Sequence, residues 1–352
     1  MTSIVGPAVA HSAVLVPAGL PARLAGVARR GWLNPGRHVR TLERAIPPEY
    51  GAEWGVAASS GTAAVALALE VAGVPAGSGV AVPSYTCRAV PDAVGRAGIR
   101  PVVVDNDPGD LGIGRVPPLA VVRGLIQVHQ FGFVARSHPE EWAGLAVIHD
   151  CCQLPSPAAH GRRFSLGERE LAVVSFEGTK PYPAGAGGMV LGRAGDLEAV
   201  ARELVARDYR TSARNRYDRP CELTAAAALA QWEQRGELER RRARLHRMWR
   251  ETLAGLPGHR VRPWRAAGGL VPFRFVAAMA DAASFVEAGQ RLGFRRPVAP
   301  VPLHGLLGLP AAAFPVAAGL AAQLVSCPMP VVYAPADLTG PRSFLADWVT
   351  AG

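Results

Sequence analysis

The first half of the chain alternates short apolar runs with longer segments of helical periodicity. Apolar runs bounded by glycine, proline or serine predict buried strands that start near residues 54, 80, 101, 124, 145 and 172. Helices are predicted between them, notably over 63–71 and 89–97. This alternation favours an α/β fold built around a doubly wound, mostly parallel sheet.

Helical patterns predominate after residue 196, with one long helix predicted from 222 to about 256. Beyond about residue 260, a strand at 271–276 and a helix at 282–292 alternate with loops rich in proline and glycine. We therefore predict an N-terminal arm over 1–20, a large domain over 21–235 and a smaller α+β domain over 236–352.

Polar and chemically reactive residues follow the predicted strands. They are Thr62, Cys87, His129, Asp150 and Lys180. In open α/β sheets, ligands bind at the carboxyl ends of the strands. We therefore expect these residues to line one site.

Lys180 is the only lysine in the chain, because the other 37 of the 38 basic residues are arginine. Arginine replaces lysine wherever a surface charge suffices, but its guanidinium is not deprotonated to a nucleophilic amine. Retention of one lysine on a loop after an apolar strand indicates chemistry that needs a primary amine, and Schiff-base formation is the leading candidate.

Composition and charge exclude several classes of function. Apolar residues make up 49% of the chain and charged residues 19%, which indicates a globular protein. The net charge of +10 is spread along the chain, and the arginine-rich stretch 239–250 fits an amphipathic helix, so no nucleic-acid partner is expected. Five cysteines without paired spacing indicate a reducing compartment and no metal site. No signal peptide or membrane span is apparent, which predicts a soluble, cytoplasmic protein.

Ordered motifs along nearly the whole chain resemble those of the DegT–StrS family of aminotransferases, which use pyridoxal 5'-phosphate (PLP). The matching pieces are Gly31-Trp-Leu33, Ser59-Ser-Gly-Thr-Ala-Ala64, Pro83-Ser-Tyr-Thr86, His129-Gln-Phe-Gly132, Asp150-Cys-Cys-Gln153, Ser165-Leu-Gly167, Ser175-Phe176, Thr179-Lys180, Gly187-Gly-Met189 and Glu222-Leu223. The resemblance implies a PLP-dependent transferase fold, with a large, mostly parallel mixed sheet flanked by helices and a smaller C-terminal α+β domain.

The resemblance also implies roles for individual residues. Lys180 would carry the cofactor as a Schiff base and shuttle the proton, and Asp150 would pair with the pyridine nitrogen. Gln153 would contact the 3′-oxygen side of the ring. The phosphate would be held by Gly61, Thr62 and Ser175.

Several departures from the family pattern concern the ring and the substrate. Cys87 stands where the family places an aromatic residue that stacks on the cofactor, so it is expected at the cofactor. Tyr85, nearby, is a candidate for the missing ring. Further substrate candidates are His129, Tyr217, on the loop that supplies an asparagine across the dimer in the family, and His304.

The resulting prediction is a homodimeric aminotransferase that moves an amino group from glutamate or glutamine to a nucleotide-linked keto sugar or a cyclitol, in secondary-metabolite or glycan biosynthesis. One alternative is a PLP enzyme that catalyses elimination or decarboxylation of an amino acid. Another is a non-catalytic homologue. A nicotinamide enzyme is disfavoured because no GxGxxG follows the first strand.

Overall fold

The computed structural model describes residues 9–10, 13–158, 164–206, 219–264, 271–296 and 301–351. Within these ranges, one sheet of seven strands forms the centre of the molecule. Its strands are β1 (Trp54–Ala58), β2 (Gly79–Pro83), β3 (Arg100–Val104), β4 (Gly124–Val128), β5 (Ala146–Asp150), β6 (Leu171–Ser175) and β7 (Gly188–Gly192). The helices that accompany it are α1 (Leu20–Arg30), α2 (Arg37–Ala45), α3 (Gly61–Val71), α4 (Ala89–Arg96), α5 (Gly195–Ala206) and α6 (Glu222–Glu233).

The strand order is β1-β7-β6-β5-β4-β2-β3, with β2 to β6 parallel and β7 antiparallel to both β1 and β6. Strands β1, β2, β4, β6 and β7 are buried along their length, which explains their mostly apolar sequences. Because β1 runs parallel to β6, its carboxyl end lies at the same edge as those of the other parallel strands.

Helix α3 is buried nearly all round and packs against this sheet. It begins where the side-chain oxygen of Ser60 accepts the Ala63 amide at 3.1 Å. Helix α6 is tied to the start of α2 by the Glu222 carboxylate, which accepts the amides of Gly36 at 3.0 Å and His38 at 2.8 Å. A carboxylate at a helix N-terminus is stabilised by the unpaired amides there.

A second, antiparallel sheet of three strands follows in the described C-terminal part, in the order β10-β9-β8. The elements of this part are α7 (Arg235–Ala254), β8 (Val261–Pro263), β9 (Val276–Met279), α8 (Ala282–Gly289), α9 (Leu303–Leu306), α10 (Pro315–Gln323), β10 (Leu324–Ser326) and α11 (Thr339–Ala351). Its core forms where the apolar face of α7 meets Phe285, Phe294 and Leu345. No helix of the described ranges has the length and apolar character to cross a bilayer.

Two predicted elements were wrong in detail. The long helix predicted from 222 is broken at Gln234 into α6 and α7. The strand predicted at 271–276 begins only at Val276, because 271–275 packs as an irregular segment. The domain boundary at 235/236 stays a prediction: Leu238 of α7 packs with the large sheet, whereas Leu245 packs with the small one.

Candidate active site

Three segments converge at the carboxyl edge of the large sheet, and Gly61 is at their centre. A Cβ atom at Gly61 would lie 2.8 Å from Ser175 Cβ, 2.9 Å from Ser175 Oγ and 3.3 Å from Cys152 Sγ. Only a glycine therefore allows the first turn of α3 to approach the ends of β5 and β6 this closely. The amides of Gly61 and Thr62 open the helix and have no acceptor within it.

Asp150 ends β5 and is buried, with one carboxylate oxygen accepting the Cys152 amide at 2.9 Å. Burial raises the pKa of the Cys152 thiol, the negative charge of Asp150 raises it further, and the Lys180 ammonium opposes that rise. The charges of Asp150 and Lys180 thus both act on the thiol that touches Gly61. Cys152, which the sequence interpretation left without a role, connects the predicted site residues.

Lys180 lies on a tight loop after β6 and is half-buried. The loop is closed locally: the Ser175 hydroxyl accepts the Glu177 amide at 3.3 Å, and the Lys180 amide donates to the Glu177 carbonyl at 2.9 Å. The loop then returns to the start of α3, where the Gly187 amide donates to the Ser59 carbonyl at 2.9 Å. Lys180, whose backbone these bonds hold, lines a small cleft between the loop and α7.

Buried polar groups support this loop from below. The Tyr182 hydroxyl donates to Glu239 at 2.6 Å and accepts the Ser156 amide at 2.8 Å. Arg242 forms an ion pair with Glu239 at 2.9 Å and donates to the Pro181 carbonyl at 3.2 Å. Burial, and then the charge of Glu239, raise the pKa of Tyr182, so this hydroxyl remains a donor.

Gln153 lies one turn beyond Asp150 and holds an unusual backbone turn. Its side-chain oxygen accepts the Phe131 amide at 3.2 Å, and its amide nitrogen donates to Gln130 at 3.2 Å. Phe131 has a φ of 57° and Gly132 a φ of 88°, so both occupy the left-handed region. Sequence analysis did not predict this turn, because a phenylalanine gives no indication of it.

In the segment after β2, Tyr85 and Cys87 lie in different surroundings. Tyr85 is buried and packs edge-to-face on Phe131 with ring centroids 6.3 Å apart. Cys87 is exposed, and between them the buried Thr86 hydroxyl has no hydrogen-bond partner among the described residues. The chain bends after β2, and the candidate ring of Tyr85 lies in the apolar core. Its role in binding substrate stays a prediction.

His129 is buried inside a chain of hydrogen bonds. Its Nδ1 accepts the Ala135 amide at 3.0 Å, so its Nε2 carries the proton toward His149 Nδ1 at 3.1 Å. His149 in turn donates to Glu170 at 3.1 Å. Both nitrogens of His129 are thus occupied by protein groups, which leaves its predicted contact with substrate without support from the geometry.

His304, at the start of α9, is also buried and bonded. Its Nδ1 lies 2.8 Å from the Ser84 hydroxyl, and its ring stacks on Phe314 with centroids 5.0 Å apart. This arrangement fixes α9 against the segment after β2. Tyr217, the remaining substrate candidate, lies outside the described residues.

The residues at this edge fit PLP. The amides that open α3, together with Ser175, supply donors for a phosphate. Asp150 supplies a buried carboxylate for a protonated ring nitrogen, and Lys180 supplies the amine. Thr86, which follows β2 at the same edge of the sheet, has a buried hydroxyl without a partner in the described part of the chain.

Comparison with solved structures defines the class. DesI, solved in the presence of its TDP-sugar product, superposes with a TM-score of 0.82 at 26% identity, covering 98% of this chain and 93% of that one. DesV of S. venezuelae gives a TM-score of 0.82 at 23% identity, covering 94% of each chain. The PLP form of the putative sugar aminotransferase Spr1654 of Streptococcus pneumoniae gives 0.81 at 15% identity, covering 99% of each. The fold is that of PLP-dependent aminotransferases.

Residues 20–338 match the DegT/DnrJ/EryC1/StrS aminotransferase family, and the chain belongs to that family. GDP-perosamine synthase of Caulobacter vibrioides is 30% identical over 246 residues, which are 65% of this chain and 66% of that protein. The predicted resemblance, fold class, PLP cofactor and aminotransferase class are thereby confirmed.

Proposed function

We propose that this chain is an active aminotransferase that moves an amino group from glutamate or glutamine to a ketone of a nucleotide-linked sugar. The observation that carries the proposal is the meeting of Gly61, Cys152 and Ser175 at one point, with the charges of Asp150 and Lys180 acting there. A protein that had kept only the fold would not need this set of donors, acid and amine together.

The proposed roles follow from the chemistry of each group. PLP, when bound, supplies a carbonyl that takes up the amino group and a ring that withdraws electrons. The first turn of α3 and Ser175 bind its phosphate, and the Asp150 carboxylate holds a proton on the ring nitrogen. Lys180 Nζ would hold the cofactor through its amine and would act as the general base that moves the substrate proton.

The proposed acceptor rests on the relatives. GDP-perosamine synthase is named for a GDP-linked product, and DesI was solved with a TDP-sugar product. A cyclitol is the second acceptor class that we propose to assay.

We further propose that the protein is a homodimer. Trp32 and Leu33 are 58% and 51% exposed, an apolar pair that a second copy would cover. Light scattering measures the mass directly, and a monomer at micromolar concentration would contradict this part of the proposal.

The deciding experiment is the visible spectrum of the PLP-loaded protein before and after addition of glutamate. Transamination shifts the absorbance of lysine-bound PLP to that of the pyridoxamine form, and 2-oxoglutarate appears in equal amount. Glutamine and alanine serve as comparison donors. A spectrum unchanged by every donor would contradict transamination and favour elimination or decarboxylation, which are assayed by pyruvate, ammonia or carbon dioxide release.

A further inference from the structure

A buried glutamine connects the segments that follow three neighbouring strands of the large sheet. Gln130 lies two residues after β4, and its side chain is fully buried. Its Nε2 donates to the Tyr85 carbonyl, after β2, at 2.7 Å, and its Oε1 accepts Nε2 of Gln153, after β5, at 3.2 Å. Because β4 pairs with both β2 and β5, one side chain reaches both neighbouring strand ends at the edge where the candidate active site lies.

Main-chain groups at the two ends of this chain of hydrogen bonds fix the orientation of both side-chain amides. The Tyr85 carbonyl only accepts, so Gln130 must direct its nitrogen there and its oxygen toward Gln153. The Phe131 amide only donates, and it donates to Gln153 Oε1 at 3.2 Å. Gln153 must therefore direct its nitrogen toward Gln130, because a flip of either amide would bring like groups together.

One donor of Gln153 remains for a ligand. Its Nε2 carries two hydrogens, of which Gln130 accepts one, and no group in the described part of the chain accepts the other. Gln153 is half-buried, whereas Gln130 is fully buried, so the pair is accessible only at Gln153. The turn that carries Gln153 begins at Asp150, whose carboxylate accepts the Cys152 amide at 2.9 Å. The remaining donor thus belongs to the same turn as the predicted partner of the ring nitrogen.

The same glutamine fixes the segment after β2. Asn106 accepts the Tyr85 amide at 2.7 Å and Gln130 donates to the Tyr85 carbonyl, so buried side chains bond both main-chain polar groups of this residue. The chain then continues to Thr86, whose buried hydroxyl has no partner among the described residues, and to the exposed Cys87. Since Cys87 is expected at the cofactor, Gln130 ties together two segments that are both predicted to contact the ring.

We propose that Gln130 is a positioning residue for the cofactor, which directs the remaining Nε2 hydrogen of Gln153 to the 3′ oxygen of PLP. An apolar side chain could replace a buried amide that only filled space, but here it would leave the Tyr85 carbonyl and Gln153 Nε2 without these partners. The inference rests on the predicted contact of Gln153 with the ring and is independent of the amino donor and acceptor. Sequence analysis gave Gln130 no role, because its two partners lie 45 and 23 residues away.

The pH titration of the absorbance of lysine-bound PLP tests this role in the loaded protein. A donor at the 3′ oxygen stabilises negative charge there and so favours loss of the proton that this oxygen shares with the Schiff-base nitrogen. Gln130→Met removes both hydrogen bonds at similar volume. The midpoint of the titration should rise by about 0.5–1 pH unit, as expected for the loss of one hydrogen bond. PLP affinity, measured by titration of the apoprotein, should fall about 2- to 10-fold.

Gln127 supplies a matched control. It is also a buried glutamine, lies on β4 itself and bridges two main-chain groups, the Ile113 amide and the Arg136 carbonyl. Gln127→Met therefore loses bonds of the same kind without removing a bond to a predicted cofactor residue. It should lose stability in urea unfolding to an extent comparable with Gln130→Met, and it should keep the wild-type midpoint.

A further pair of variants shows whether Gln130 acts through Gln153. Gln153→Met should raise the midpoint at least as much as Gln130→Met, and the double variant should raise it no further than Gln153→Met. An unchanged midpoint in Gln130→Met, equal shifts in Gln130→Met and Gln127→Met, or additive shifts in the double variant would overturn the proposal. Gln130→Asn, which keeps the amide but shortens its reach by a methylene, is used if Gln130→Met does not fold, and the same outcomes decide. Because no amino donor is added, failure of transamination would leave the titration interpretable.

Discussion

Lys180 and His129 both follow strands at the same edge of the large sheet, but they differ in burial and in hydrogen bonding. Lys180 is half-buried and lines a cleft, on a loop whose backbone is hydrogen-bonded at several points, including the amides of Lys180 and Gly187. His129 is 1% exposed, and protein groups occupy both ring nitrogens. A position at a strand end is therefore not enough to make a site residue. The two differ because Lys180 lines a cleft, whereas both ring nitrogens of the buried His129 are bonded to protein groups.

Adjacent residues on β5 show the same contrast. Asp150 and His149 project to opposite faces of the sheet, because side chains alternate along a strand. Asp150 faces Cys152 and the lysine loop, whereas His149 completes the chain from His129 to Glu170. One strand end thus contributes both to the candidate active site and to a structural network.

The largest expected effect comes from removing the amine of Lys180. Lys180→Ala should abolish the visible absorbance of lysine-bound PLP and reduce turnover by about a thousandfold or more. Lys180→Arg should do the same although it keeps the positive charge, because guanidinium is not a nucleophile. Absorbance and single-turnover kinetics measure both. A variant that keeps its colour would show that another group holds the cofactor.

Removing the negative charge of Asp150 tests the contrast between Asp150, at the candidate active site, and His149, in the structural network. Asp150→Asn keeps the shape and the acceptor for the Cys152 amide but loses the negative charge. We expect turnover to fall about 100-fold or more while PLP still binds, because the ring nitrogen loses its proton-holding partner. The control is Glu170→Gln, at the outer end of the histidine network. Similar losses of turnover in both variants would contradict the division between site and network.

A smaller effect is expected where packing alone supports the site. Gly61→Ala places a Cβ 2.8 Å from Ser175 Cβ, which costs about 1–3 kcal/mol of strain and moves the helix start away from the strand end. PLP affinity should fall accordingly, as measured by titration of the apoprotein. Gly95→Ala on α4, where no heavy atom lies within 4 Å, should leave it unchanged. Equal PLP affinity in Gly61→Ala and the wild type would exclude a tight phosphate loop.

The smallest expected effect is the pH dependence of stability that arises from the buried His129. Burial, and then the charge of His149, lower the pKa of His129 below its ordinary value. As the pH falls below about 6.5, the unfolded chain takes up this proton and the folded one does not, so stability is lost by at most about 1.4 kcal/mol per pH unit. Urea unfolding between pH 7 and 5.5 should show a shallower decline in His129→Gln than in the wild type.

Half-exposed His138 supplies the control for this experiment. His138→Gln should retain the wild-type dependence on pH. An equal slope in His129→Gln and the wild type would mean that His129 accepts a proton in the folded protein, and that the network is less closed than its geometry indicates.

Much of the fold was predictable, and for a local reason. Strands buried on both faces must be mostly apolar, and β4, β5 and β6 end in, or are followed by, the polar residues His129, Asp150 and Ser175, which the chain order placed at one edge. The lone Lys180 and the glycine-rich turns around it are properties of composition and short motifs. The break at Gln234 was missed because helical periodicity continues across it on both sides.

What the sequence determined by itself is therefore the family, the cofactor and the order of the strands and helices around the large sheet, whereas the role of Lys180 stays a prediction. Only the tertiary structure decided which candidates meet. It placed Cys152 between Gly61 and Asp150, turned Tyr85 into the core and joined Gln130 to Gln153. His304 was closed off by Ser84, which lies 220 residues earlier. The direction of a side chain and its hydrogen-bond partners depend on packing against distant segments of the chain. Local sequence patterns therefore do not predict them.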